Sequence, residues 1–150
     1  MRLPKSVLER FRAYGRQGGR ARASRMSPEA RKAVARAAAT RRWIRARFGA
    51  PGFQAMGLPG GEAVDAGLAA LARGDESIES LMVSLAAPRL RRVGVPLPRD
   101  VFADADVRLY RLLEQTHGHL AHARYLAYLR QAASFADACA GARAKGSKHA

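Results

Sequence analysis

Acidic residues are scarce in this sequence and cysteine is almost absent. Cys139 is the only cysteine, so no disulfide can close within the chain and nothing points to an oxidising compartment. Long hydrophobic runs are missing as well. The longest uncharged stretch, residues 48–61 (FGAPGFQAMGLPGG), is too short and too rich in Gly and Pro to span a bilayer. Residues 1–17 (MRLPKSVLERFRAYGRQ) hold no apolar run of signal-peptide length, so the expectation is a cytoplasmic protein with no membrane partner. No segment shows sustained strand alternation with hairpin turns, which leaves an all-α fold. A nucleophile–base–acid set, a Walker-type glycine loop and a paired-carboxylate signature are also lacking, and the chain is expected to be neither an enzyme nor a cofactor carrier.

What is present is positive charge, unevenly placed. Lys and Arg total 27 against 12 acids, a formal net charge of +15. Residues 1–50 carry 15 Lys/Arg and two acids, Glu9 and Glu29, for a net +13; residues 51–150 carry 12 and 10, for a net +2. A near-neutral body with a cationic N-terminal third implies a polyanion or an acidic partner. Hydrophobic residues make up 48% of the chain, enough for that body to bury a core.

The pattern along the chain predicts a basic helical arm over residues 1–50, a Gly/Pro-rich linker over 51–61, a helical body over 62–140 and a frayed tail over 141–150. Residues 4–14 read as a short helix through Val7, Leu8, Phe11 and Tyr14, interrupted by Gly15, Gly18 and Gly19. The next helix has complete punctuation: Ser27 as N-cap, Pro28 at the first position, Glu29 at the positive end and Gly49 as stop. On its wheel Ala30, Val34, Ala37, Ile44 and Phe48 form one stripe, with Lys32, Arg36, Trp43 and Arg47 opposite. In the body, helices are expected over 62–73, 76–86 and 104–115, the last capped by Asp104, and over 118–140. PRLRRVG reads as a short basic turn or helix and VPLPRD as an extended connector. Leu109, Tyr110, Leu112, Leu113, Leu120, Tyr125, Tyr128, Leu129 and Phe135 are the expected core of the last two helices.

The candidate binding residues are Arg20, Arg22 and Arg25 in the glycine-spaced segment, then Arg31, Lys32, Arg36, Arg41, Arg42, Arg45 and Arg47 around Trp43, with Arg89, Arg91 and Arg92 extending the surface onto the body. Guanidinium groups suit phosphate and carboxylate alike, and Trp43 offers a stacking face for an unpaired base. The plainer reading is a solvated charged face with the tryptophan packed on the body. A helix-turn-helix is disfavoured because its first helix lacks a broad buried face. His117, His119 and His122 in HGHLAH suggest a metal box, but no nearby Cys or carboxylate cluster completes a site, so no metal is expected.

Two stretches carry a resemblance. GGRARASRMSPEARKAVARAAATRRW is similar to the Gly-Gly, Ser-Pro-Glu and Ala-Arg-Trp pattern of small basic bacterial proteins, stress-related and antitoxin-like ones among them. LPGGEAVDAGLAALARGDESIESLMVSLAAPRLRRVGVPLP and RLYRLLEQTHGHLAHARYLAYLRQAASFADAC resemble poorly characterised bacterial proteins associated with nucleotidyltransferase toxins of the abortive-infection, toxin–antitoxin type. That resemblance implies an antitoxin-like partner that neutralises a cognate nucleotidyltransferase; the alternative is a protein that binds DNA or RNA non-specifically through the arm. Antitoxins of the best-known nucleotidyltransferase systems carry a winged-helix domain, and nothing in this sequence reads as one.

Overall fold

Ser27 decides where the arm turns. In the computed structural model, which describes residues 4–146, Ser27 has extended backbone angles and its hydroxyl accepts a hydrogen bond from the Ala30 N–H at 3.1 Å. Pro28 occupies the first turn, where a missing N–H does no harm, and disfavours helical geometry in the residue before it. The helix α2 (Pro28–Phe48) therefore starts where the sequence predicts. It also stops there: Gly49 adopts φ 74°, the left-handed conformation glycine takes without strain, and its N–H closes on the Arg45 carbonyl.

The preceding helix differs from expectation. α1 runs without interruption from Lys5 to Ser24, straight through Gly15, Gly18 and Gly19. Glycine lowers helix stability by about 1 kcal/mol per residue but does not force a break, and no proline lies inside the segment to do so. Its end is set instead by the Ser27–Pro28 signal, three residues beyond Ser24.

After α2 the chain enters the predicted linker, which is packed down rather than loose. Phe53 is fully buried and opens a single 3-10 turn, Gln54–Met56. The Asp65 carboxylate, one turn into the next helix, accepts from the Phe53 N–H at 3.1 Å and the Gln54 N–H at 2.9 Å. Both backbone N–H groups are thus satisfied by Asp65, and apolar burial adds to the hold at Phe53.

The body consists of α3 (Gly61–Arg73), α4 (Ile78–Leu85), α5 (Ala87–Arg92), α6 (Ala105–His117) and α7 (Ala121–Gly146), with no strand among the described residues. The fold is an all-α bundle. α2 packs on α3, α3 on α4, α4 on α6, and α6 on α7. α3 and α4 approach closely because Gly67 presents no side chain: a Cβ there would lie 2.5 Å from the Glu79 carbonyl oxygen and 2.6 Å from Val83 Cγ2. A reciprocal Ser77–Ser80 capping box starts α4. One core cluster gathers Phe53, Val64, Leu68, Leu71, Met82, Val83, Leu90 and Phe135 around Ile44 of the arm. A second joins Leu81 to Leu109 and Leu113. The buried Ser84 hydroxyl donates to the Ser80 carbonyl at 2.7 Å and accepts from the Phe102 N–H at 3.2 Å, tying the connector before α6 to α4.

Three further details depart from the sequence reading. Asp104 stands at the N-cap of α6 but with φ 49°, outside the extended geometry a capping side chain needs, and its carboxylate makes no cap bond. Leu120 is exposed rather than core, because it lies on the 3-10 turn Gly118–Leu120 between α6 and α7. α7 continues past residue 141 to Gly146; the rest of the expected tail lies outside the described residues.

Candidate polyanion-binding surface

α1 buries none of its residues. With 3.6 residues per turn, Val7, Leu8, Phe11 and Tyr14 fall on one side, and Lys5, Arg12, Arg16 and Arg20 on the other. The apolar side is open: Leu8 is 39% exposed, Phe11 64% and Tyr14 69%. A Cβ placed on Gly15, Gly18 or Gly19 would meet nothing within 4 Å, so no other part of the described chain covers this helix at those positions.

α2 is held by a narrow strip. Ile44 is its single fully buried residue, flanked by half-buried Ala30, Ala33, Ala37, Thr40 and Phe48. Val34, placed by sequence in the apolar stripe, is 51% exposed, whereas Ala30, Ala33 and Ala37 are half-buried. Trp43, which the helical wheel sets opposite the apolar stripe, lies as the plainer reading has it, packed on the body. It is half-buried and packs against the core cluster, meeting Phe48 edge to face at 5.8 Å between ring centroids, with the Arg47 guanidinium carbon 5.7 Å from its ring centre.

Arg20, Arg22, Arg25, Arg31, Lys32, Arg36, Arg41, Arg42, Arg45 and Arg47 are all exposed on α1, α2 or the turn between them. None of them forms an ion pair among the described residues. The pairs that do form, Arg73–Asp75, Arg89–Asp137 and Arg108–Glu76, all belong to the body. Arg89 and Arg91, candidates from the sequence, have structural partners. Arg89 reaches Asp137 on α7 at 2.8 Å, and Arg91 donates to the Pro98 carbonyl at 3.1 Å and the Arg99 carbonyl at 3.4 Å. Arg92 is exposed on the same short helix.

Two cavities flank α2, and Thr40 borders both. One, of about 430 Å³, lies against Arg41, Ile44, Asp65 and Leu68. The other, of about 450 Å³, is bordered by Arg36, Trp43 and Leu68 and by Leu97, Pro98 and Arg99 of the extended connector. Arg12 and Arg16 join the cationic side of α1; Arg12 lies within the helix the spacing predicts, and Arg16 follows once Gly15 is read through. Arg99 and Leu97 had no such signal, since only the tertiary fold brings that connector beside Trp43.

The histidines do not converge. His117 is half-buried, His119 and His122 are exposed, and the His122 ring lies 6.3 Å from that of Tyr110. Among the described residues no three His, Cys, Asp or Glu side chains are grouped to hold a metal ion. No described helix is long and apolar enough to cross a membrane.

Fold and surface together define an α-helical bundle that displays a two-helix cationic arm. No protein-family model, curated protein or solved structure matches this chain.

Proposed function

We propose that this is a non-enzymatic interaction protein whose arm grips an acidic partner protein, as an antitoxin-like inhibitor grips its target. The observation that carries the reading is α1: a 20-residue helix with an open apolar side, a cationic opposite side and no described element packed over it. A helix of this kind gains most of its stability from burying its apolar side, which favours an apolar groove rimmed by carboxylates as its receptor. A nucleic-acid backbone would use the arginines and leave Leu8, Phe11 and Tyr14 in water. Following the resemblance of the body segments, the partner is a nucleotidyltransferase of the abortive-infection type, and the exposed arginines of α2 would cover the acidic pocket where such an enzyme holds metal and nucleotide.

Co-purification of the chain with the nucleotidyltransferase encoded beside it tests this. Wild type is expected to form a stable complex, and Phe11→Asp to abolish it while leaving the helical circular-dichroism signal unchanged, because Phe11 is exposed. Absence of a wild-type complex, or a complex indifferent to Phe11→Asp, refutes the reading.

The second reading is non-specific DNA or RNA binding. It is favoured by the number of exposed cations between Arg10 and Arg47 that form no ion pair among the described residues, since each can neutralise a phosphate. Mobility shifts at low and moderate salt decide it, and absence of a shift at both removes it.

A further inference from the structure

We infer that the groove between α2 and the connector over residues 95–100 is a binding site for a nucleotide unit, a planar base with its phosphate. This does not rest on the partner-protein reading, because the residues that line the groove belong to α2 and the body and not to α1.

The groove is lined by Trp43, which is half-buried and has Arg47 over its ring, and by Leu68 and Leu97, with Pro98 on the connector wall. Its volume of about 450 Å³ falls within the roughly 300–1,000 Å³ of small-molecule sites. An indole beside aliphatic walls suits the flat face of a base, which stacks on an aromatic ring whatever its sequence. Arg36 borders the groove from α2 and Arg99 from the connector. Neither guanidinium is engaged in an ion pair among the described residues, and together they outweigh the one carboxylate at the groove, Asp100. A phosphate attached to the stacked base is therefore attracted rather than repelled.

The wall is built before any ligand arrives. Arg91 donates to the carbonyls of Pro98 and Arg99, and the Val95 N–H donates to the Leu90 carbonyl at 2.9 Å, so the connector is anchored to α5 along its length. Pre-formed walls reduce the ordering that binding would otherwise require. This also gives Arg91 a purpose: it positions the wall and stays out of ligand contact.

Trp43 is the only tryptophan in the chain beside 4 tyrosines, so fluorescence of the full-length protein excited at the red edge of the indole band, where tyrosine does not absorb, reports Trp43 alone. The probes are a nucleoside monophosphate, inorganic phosphate, a short single-stranded oligonucleotide and its duplex. Saturable quenching is expected from the monophosphate or from the single strand, with inorganic phosphate and the duplex much weaker. Quenching by the free monophosphate assigns the site to a soluble nucleotide, and quenching by the strand alone assigns it to an unpaired nucleotide within a polymer. Arg99→Ala keeps the backbone carbonyl that Arg91 uses and should weaken binding by on the order of tenfold, as loss of one charge-assisted contact does. Arg124→Ala, exposed on α7 and outside both the groove and the cationic arm, should leave monophosphate binding unchanged. No quenching, equal quenching by inorganic phosphate or duplex, or an unaltered affinity in Arg99→Ala overturns the inference.

Discussion

Phe53 and Phe135 meet edge to face with ring centroids 5.0 Å apart, and both are fully buried. The contact is the inner end of a ladder that runs outward from Phe53 to Phe48 at 5.7 Å and from Phe48 to Trp43 at 5.8 Å. Through it the end of α2 and the segment after it are joined to α7, the last helix of the body. Truncating Phe53 should empty the centre of that ladder and lower stability by about 3–5 kcal/mol, the range for a buried Phe→Ala change. Urea denaturation followed at Trp43 and by far-ultraviolet circular dichroism checks this. If Phe53→Ala unfolds at the wild-type urea concentration, the ladder does not support the fold.

Asp65 holds the same junction by its polar side. Its two oxygens accept from the N–H groups of Phe53 and Gln54, so Asp65→Ala removes both bonds and should destabilise by about 1.5–3 kcal/mol. Asn retains one acceptor oxygen and should fall between wild type and Ala. An Asn variant as damaged as Ala would assign the effect to lost charge instead of lost acceptors.

These two residues also show where the sequence was legible. Ser27, Pro28 and Gly49 act on residues within four positions of themselves, so the limits of α2 could be read directly. Asp65 acts on residues 11 and 12 positions away in a segment rich in Gly and Pro, and no periodic pattern marks that link. Local composition therefore suggested a linker where tertiary contacts built a packed corner. The α1 glycines misled for a related reason, since glycine permits a break without specifying one. The arginines of the candidate surface were plain from charge alone, whereas Arg99 became part of a site only when the fold placed its connector beside Trp43.

Gly67 offers a third test of packing. Because an added Cβ would come within 3 Å of both Glu79 backbone and Val83 side chain, Gly67→Ala must push α3 and α4 apart. Overpacking of this kind costs about 1–3 kcal/mol, against a small gain from alanine's higher helix propensity. Net destabilisation on thermal melting is expected. A stabilised variant would show that the two helices separate freely.

Should the arm bind nucleic acid, its affinity must fall linearly with salt on a double-logarithmic plot, with a slope set by the number of phosphates engaged. Arg42 is exposed on α2 with no ion pair among the described residues, so Arg42→Ala should weaken binding equally across sequences and reduce the slope by about 1. Titrations of wild type and variant over a salt series give both numbers. A slope unchanged by the substitution would place Arg42 outside the contact.

Protection from hydrogen exchange should rank the elements by how much they bury. α1 buries nothing and should exchange fastest; α2 buries Ile44 alone and has a cavity on either side of Thr40, so residues 28–48 should be intermediate. Residues 104–140 include Leu109, Leu113 and Phe135, all fully buried, and should exchange most slowly. The Phe48–Phe53–Phe135 contacts pin the C-terminal end of α2 to the body, so within α2 protection should rise from Pro28 toward Phe48. Addition of the partner should slow exchange in 5–24 and 28–48 and leave 104–140 nearly unchanged, because the arm is the element with surface left to bury. Mass-spectrometric exchange on the free and bound protein resolves these segments. An arm already as protected as α6 and α7 in the free protein, and unaltered on binding, would make it a structural helix pair and remove the grasping role assigned to α1.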